Sequence, residues 1–337
     1  MLTTYRASHG RPLRRDGGVT LLELLVVVSI IGIVAALLTP AVQRSREVAR
    51  SVQCKSNLKQ LGLALHSYAI DYNELPPVGG CAYDWGNGFV PTLEFSAQTY
   101  LLPYLSETAV FNSINFSEQF SYGNGTVRSP MNRTAANAAL ELYLCPSDPF
   151  TPGVPGNNYR TCLGLGPGTL GPDSPRAAFR PCLRSRLNDI TDGLVMTALM
   201  SEKLKGDGTA SRFSAEAEFF FSPFTDVSTV NDTKLACDNA PSSNPRHDSA
   251  VGQAWLPGTF RLTWYNHLLT PNSRIPDCAV DLSANTGAFS ARSYHVGGVH
   301  VLFADGRVGF VRDSVFEPVW HSIASSTSGD NEGTASF

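Results

Sequence analysis

The chain has 337 residues, 42% of them apolar and only 16% charged, with a formal net charge of −3 at pH 7. That length suits one large domain or two modest ones, and the apolar content excludes a wholly disordered chain. The slightly acidic balance excludes a protein built around the concentrated Lys and Arg of a nucleic-acid surface.

The first element is a basic leader. Residues 1–18 carry Arg6, Arg11, Arg14 and Arg15 against Asp16, a charge of +3 that leaves −6 on the rest of the chain. An apolar run follows from Val19 to Leu38, 20 residues interrupted only by Glu23 and Ser29. At about 1.5 Å per residue, a helix of this length crosses the roughly 30 Å of a bilayer's hydrocarbon core. The arginines flank one side only, so the positive-inside rule keeps residues 1–18 cytoplasmic and puts everything after Pro40 outside. A carboxylate in hydrocarbon costs about 2.5 to 3.5 kcal/mol, so Glu23 calls for a positive partner. A cut after Gly18 supplies one, because the new amine on Val19 stands at i, i+4 from Glu23 and at the helix N-terminus.

The string Gly17-Gly18-Val19-Thr20-Leu21-Leu22-Glu23-Leu24, running into the apolar helix, resembles the leader of type IV prepilins and pseudopilins. The resemblance implies cleavage between Gly18 and Val19 by a dedicated prepilin peptidase and methylation of the new N-terminus at Val19. It also implies that Glu23 pairs with a neighbouring subunit's amine during fibre assembly, and that Pro40 kinks the helix. Val19 departs from the family, in which Phe is commonest there. An ordinary secretory signal ending at Thr39-Pro40-Ala41 is the competing reading. Against it, Glu23 would be a needless charge, and helical character continues beyond Ala41.

The next element is a helix from Ala41 to about Tyr72. Cys54, Leu58, Leu61, Leu65, Tyr68 and Tyr72 fall at alternating spacings of 4 and 3, one stripe of a helix packed on something large. The stripe is too short for a long coiled coil and predicts packing on the chain's own head. His66, on its flank, reads as a hydrogen-bonded structural histidine. With the apolar run, Thr20 to Tyr72 would span about 80 Å if straight. The helix stops at Asn73-Glu74-Leu75-Pro76-Pro77.

Beyond Pro76, glycine and proline punctuate loops. Short helices are predicted at Ser96–Leu102 and Glu107–Asn112, split by Pro103, and at Ala135–Leu144. A turn at Asp189–Gly193 feeds a strand over Leu194–Met200. Residues 203–290 are the least legible, with strands expected at Phe219–Phe221 and Phe260–Tyr265. Val299–Phe303 and Val308–Val311 flank Ala304-Asp305-Gly306-Arg307, a hairpin with Asp-Gly at its turn. The tail, 316–337, is small and polar and reads as disordered.

All seven cysteines follow the membrane segment, in a compartment where disulfides persist. Connectivity stays open, with Cys162 and Cys182 a reasonable local pair. No C-x-x-C spacing points to a zinc knuckle, so no metal is expected, and a carboxylate-rich loop holding calcium is the one cofactor reading left open.

His295 precedes Asp305-Gly306 by nine intervening residues. This resembles the H-x9-D-G signature that closes a large, functionally uncharacterised family of prepilin-like proteins. The stretches Cys54–His66, Leu101–Leu105, Leu144–Asp148 and Thr191–Gly193 carry the same resemblance. Val296 replaces the proline usual after the signature histidine. His295, Asp305 and Glu202 could be a base and its orienters, but no Ser or Cys sits in a nucleophile turn, and Asp305 is already explained by the hairpin. The signature therefore reads as structural.

The expected fold is α+β and pilin-like: a long helix, transmembrane then amphipathic, packed on an antiparallel β-sheet head with short helices and long loops. Its parts are a cytoplasmic leader (1–18), a transmembrane or fibre-core helix (19–39), an amphipathic continuation (40–73), an extracytoplasmic head (74–315, hairpin at 299–311) and the tail. The expected function is a non-enzymatic structural subunit of a pilus or of a type II secretion-like pseudopilus, held in the inner membrane before assembly. Its partners are then that membrane, the prepilin peptidase and methyltransferase, other pilin-like subunits and an extracellular ligand, with no nucleic acid. A membrane-tethered ligand-binding protein that does not polymerise is the alternative, and an exported enzyme a third reading.

Overall fold

The computed structural model describes residues 20–84, 88–92, 95–118, 121–123, 126–128, 131–149, 155–165, 177–181, 183–209, 211–224, 229–239, 246–280 and 286–327. The leader, the Gly18–Val19 bond and Cys182 lie outside them. The chain divides into two compact units, Met1–Val48 and Ala49–Phe337.

Helix α1 (Leu21–Tyr72) is continuous, with Pro40 inside it. It is the one helix among the described residues long and apolar enough to cross a membrane. In the first unit every residue from Leu21 to Leu38 is exposed. Ser29 and Thr39 donate their hydroxyls to the carbonyls of Leu25 and Ala35, each at 2.7 Å, so neither needs water.

In the second unit, the later turns of α1 bury Cys54, Asn57, Leu58, Leu61, Gly62, Ala64 and Leu65 against the head, as the stripe predicted. Tyr72, its last member, is instead exposed, its ring against Tyr68 at 4.4 Å. Two hairpins pair β1 (Gly80–Asp84) with β2 (Gly88–Thr92) and β3 (Ser121–Gly123) with β4 (Thr126–Arg128). Helix α2 (Ala97–Leu101), capped by Ser96, continues into a 3-10 turn over Leu102–Leu105. Pro103 therefore sits near the start of that turn instead of splitting two helices, a place where its missing N–H costs nothing. Helix α3 (Thr108–Asn112) follows.

The helix expected over Ala135–Leu144 is two pieces, α4 (Arg133–Ala136) and a 3-10 turn at Glu141–Tyr143. Asn137 ends the first, and Leu140 is extended so that its side chain reaches the core.

A five-stranded sheet is built from β5 (Tyr159–Cys162), β6 (Ala198–Glu202), β9 (Trp264–Tyr265), β12 (Gly298–Phe303) and β13 (Val308–Arg312), in the order β13-β12-β6-β5-β9. A four-stranded sheet joins β7 (Phe219–Phe221), β8 (His247–Asp248), β10 (Asp277–Ala279) and β11 (Gly287–Ala288) in the order β11-β10-β7-β8. The expectation of antiparallel pairing needs correcting. The β5–β9 and β7–β10 pairs are parallel, because long connections, 163–263 and 222–276, return the chain in the same direction.

The strand expected at Leu194–Met200 begins at Ala198. Leu194–Met196 form a turn whose Leu194 carbonyl accepts the N–H of Asp305 at 3.0 Å. Of Phe260–Tyr265 only Trp264 and Tyr265 are strand; Phe260 belongs to a turn and stacks on Phe289 at 4.5 Å.

The two faces of the five-stranded sheet feed two cores. Leu302, Met200 and Val308 join the helix side with Leu58, Leu61 and Leu65, while Val299, Val301 and Phe303 join Trp320, Ile323 and Ala324. A Cβ on Gly62 would stand 2.7 Å from Leu302 Cδ1, so this glycine lets α1 lie close over β12.

Two further corrections concern the tail and a cysteine. The expected disordered tail begins as helix α6 (Glu317–Ser322), with Trp320 fully buried and Nε1 donating to the Leu269 carbonyl at 2.9 Å. The head thus extends through Thr327, because one large aromatic side chain outweighs the polar residues around it. Cys162, expected to pair with Cys182, is a buried free thiol. The disulfides among the described residues are Cys54–Cys145 and Cys237–Cys278, the second tying helix α5 (Val230–Asp238) to β10.

Candidate functional site

The N-terminal site starts at Thr20. Its hydroxyl accepts the N–H of Glu23 at 3.3 Å, while Glu23 Oε2 accepts the Thr20 N–H at 2.9 Å and the Thr20 hydroxyl at 3.0 Å. This is a reciprocal capping box, T-x-x-E, holding the carboxylate against the positive end of the helix dipole. Glu23 thus has a local reason to stand where it does. Its sequence spacing from Thr20 carried that signal, which reasoning about a counter-charge alone missed.

The head contains a second cluster, built around a buried carboxylate. Glu202 ends β6, His300 lies in the paired strand β12, and His295 sits in the loop leading into β12. Glu202 Oε1 lies 3.2 Å from His295 Nε2 and 3.1 Å from His300 Nδ1, and Oε2 accepts the His300 backbone N–H at 2.8 Å. All three residues are buried. Burial pushes the Glu202 carboxyl up, but the hydrogen bonds of the His295 and His300 rings oppose it, and the group is held below its ordinary value. His295 Nε2 also lies 3.6 Å from Cys145 Sγ, so the cluster abuts the Cys54–Cys145 bridge.

The other signature residues work elsewhere. Asp305 Oδ1 accepts the N–H of Arg307 at 2.9 Å within the β12–β13 turn, and Gly306 supplies a φ of +82° there. Lys59 on α1 donates to the Gly306 carbonyl at 2.7 Å, tying the turn to the helix. Asn57 donates to the Leu144 carbonyl at 3.1 Å and to the Tyr159 hydroxyl at 3.3 Å. Asp148 accepts from Asn158 Nδ2 at 2.6 Å and from the Lys205 N–H at 2.9 Å. His66, expected to be hydrogen-bonded, has a buried Nε2 with no partner among the described residues. Asn57, Lys59 and Asp148 thus fasten one segment of the head to another.

Sequence reasoning missed His300 and the pairing of Cys54 with Cys145. It also missed a buried charge network in which Asp277 holds Lys203 and Arg292, the latter at 2.9 Å. Burial raises the Asp277 carboxyl, but Arg292 and Lys203 bring it below its ordinary value. The buried Cys162 thiol is pushed up to about 12 by desolvation, which leaves it an inert thiol at neutral pH. Cavities also open elsewhere among the described residues of the head. One of about 130 Å3 is lined by His66, Glu74 and Arg186, and a polar one of about 470 Å3 by Asn272, Arg274, Arg292 and Tyr294.

Comparison with known proteins places these features. A family model described as "Protein of unknown function (DUF1559)" matches residues 43–316, and one described as "Prokaryotic N-terminal methylation motif" matches residues 13–39. Competence protein ComGC of Halalkalibacterium halodurans is 33% identical over 66 residues, 20% of this chain and 65% of that protein. Type II secretion system core protein G of Aeromonas hydrophila is 40% identical over 63 residues, 19% of this chain and 44% of that protein. The Pseudomonas aeruginosa protein of the same name is 40% identical over 58 residues, 17% and 41% of the two chains. The chain thus spans roughly two fifths to two thirds of these relatives' lengths. No solved structure matches the chain.

Proposed function

We propose a function from this premise: the chain belongs to the family described as "Protein of unknown function (DUF1559)" and carries a prokaryotic N-terminal methylation motif. It is a pilin-like structural subunit, processed by a prepilin peptidase and anchored in the membrane by a single helix. The leader is cut after Gly18, the new N-terminus at Val19 is methylated, and residues 1–18 face the cytoplasm with the head outside. Other pilin-like subunits are its partners, in a pilus or a secretion-type pseudopilus.

The observation that carries this reading is the bare apolar half of α1, exposed on every side from Leu21 to Leu38 and headed by the Thr20–Glu23 capping box. Such a surface needs lipid or like helices around it, and exchanging one for the other changes its polarity little. The cut falls upstream of Thr20, so the capping box survives it. The new amine then adds a full positive charge one turn from Glu23.

N-terminal mass spectrometry of protein from cells tests the processing step, with a methylated Val19 expected and a start at Val42 refuting it. Glu23→Gln tests assembly: loss of polymer with normal membrane insertion is expected. Unchanged polymer would remove the basis for this role of the carboxylate. The polar cavity at Arg274 and Tyr294 supports the alternative, a tethered ligand-binding protein, for which Glu23→Gln leaves function untouched.

A further inference from the structure

We propose that Cys54, Cys145, His295 and Glu202 form a zinc site whenever the Cys54–Cys145 bridge is in its dithiol form, so that metal and disulfide are alternative bolts at one place in the head. Both cysteine sulfurs, His295 Nε2 or Nδ1 and a Glu202 carboxylate oxygen lie within 4.8 Å of one another, and all four residues are buried. In a tetrahedral zinc site, bonds of about 2.0 to 2.3 Å place ligand atoms roughly 3.3 to 3.8 Å apart. His295 Nε2 already lies 3.6 Å from Cys145 Sγ and 3.2 Å from Glu202 Oε1, so the sulfurs have to part from bonding distance and only the widest pairs have to close, by about an ångström.

The donor set selects the metal. Two thiolates and an imidazole suit zinc and disfavour calcium or magnesium, which prefer oxygen. The surroundings are those of a supported site. Glu202 Oε2 is held by the His300 N–H at 2.8 Å, Oε1 by His300 Nδ1 at 3.1 Å, and the Cys145 N–H donates to Asn158 Oδ1 at 3.0 Å. Zinc with two thiolates and one carboxylate leaves a single net negative charge, which the His300 donors face. The four ligands come from α1, the segment after the 3-10 turn at Glu141–Tyr143, β6 and the loop before β12, so the ion joins the same segments that the disulfide joins.

The chemistry balances with one named co-reactant. A soluble dithiol reduces the bridge by thiol–disulfide exchange, giving its two electrons and two protons to Cys54 and Cys145 and closing to its own cyclic disulfide. Zinc(II) then displaces those two protons to solvent, and the carboxylate and neutral imidazole bind without proton change. The cyclic disulfide of the same reagent reverses the sequence by thiol–disulfide exchange: it takes two electrons from the thiolates and two protons from solvent, returns to the dithiol, re-forms the Cys54–Cys145 bond and releases the ion. In an exported protein the disulfide is the resting form, and zinc holds the head while the thiols are still reduced.

The test uses the full chain in detergent, reduced anaerobically with a dithiol, freed of reductant and given zinc or cobalt(II). The dithiol form should retain a single zinc ion per chain after dialysis, while the untreated disulfide form retains none. Cobalt should give a thiolate charge-transfer band together with the visible bands of a tetrahedral ion. His295→Gln should abolish both. His300→Gln, an outer partner, should weaken zinc roughly 10- to 100-fold. As a control that needs no variant, alkylation of the wild-type chain is mapped by mass spectrometry. Zinc should protect Cys54 and Cys145 selectively over Cys237 and Cys278. Metal-free dithiol protein, an octahedral cobalt spectrum, binding indifferent to His295→Gln, or protection absent at Cys54 and Cys145 would each overturn the proposal.

Discussion

Buried His267 makes the head's stability fall as pH drops below 6.5. The side chain is fully buried, its ring stacked on Trp320 at 3.6 Å. Nδ1 lies 2.7 Å from the Trp320 carbonyl, which can only accept, so Nδ1 carries the hydrogen and Nε2 accepts from the Tyr265 hydroxyl at 3.0 Å. The neutral ring is completely satisfied, and a second proton has no place. Burial accordingly pulls the group from 6.5 down to about 3, with a small contribution from nearby His321 and partial opposition from the Trp320 carbonyl.

Below pH 6.5 the unfolded chain takes up a proton that the folded chain refuses, so stability falls as pH drops and stops falling near pH 3. At about 1.4 kcal/mol per pH unit, moving from pH 7 to pH 5 costs about 2 kcal/mol from this residue alone. Urea unfolding of the detergent-solubilised chain, followed by tryptophan fluorescence at several pH values, measures it. His267→Gln lowers stability at pH 7 but removes this part of the slope, so the two proteins converge as pH falls. Parallel pH dependences in the two, or an NMR titration of His267 near pH 6.5, would refute the reasoning.

Other outcomes follow from the same packing. Trp320→Ala removes the indole joining α6 to the sheet and should cost about 3 to 5 kcal/mol, read as a fall in Tm. Gly306→Ala forces a side chain into φ +82° with its Cβ 3.3 Å from His66 Nε2, and should cost about 1 to 2 kcal/mol in urea unfolding. Glu74→Ala breaks ion pairs to Arg184 and Arg186, whose side chains are largely exposed, and should change stability by less than about 1 kcal/mol in the same assay.

The parts legible in the sequence are those whose signal is local. A 3-4 apolar spacing gave the buried face of α1 from Cys54 to Leu65, and Asp305-Gly306 between two β-branched runs gave the hairpin to within a residue at each end. Where contacts are distant in sequence, the reading failed. Strands of two or three residues, such as β8, β9 and β11, carry no period, and their pairing is decided by Phe219, Phe260 and Phe289 meeting across long loops. Trp320 was hidden because a polar tail dominates composition over a window in which one residue dominates energy. The Cys54–Cys145 bridge spans 91 residues, and spacing cannot single out one pairing among many. Closing so long a loop contributes about 4.6 kcal/mol on the chain-entropy account, which makes this pairing a main support of the head.

The nine-residue gap between His295 and Asp305 shows how a motif can be read correctly and still mislead. Fixed spacing between a histidine and an aspartate suggests a base and its orienter, yet six of the intervening positions are strand β12, Gly298–Phe303. At about 3.3 Å per residue this strand holds its ends roughly 17 Å apart, far beyond hydrogen-bond reach. The gap is therefore the length of a strand. His295 at one end meets Glu202 and the disulfide, and Asp305-Gly306 at the other turns the chain under Lys59. Val296, exposed beside His295, makes this departure from the family tolerable, since its side chain points to solvent while the histidine ring points inward. A residue added between Val299 and Val301 would turn the strand positions on one side of it to the opposite face, so sheet register constrains the spacing.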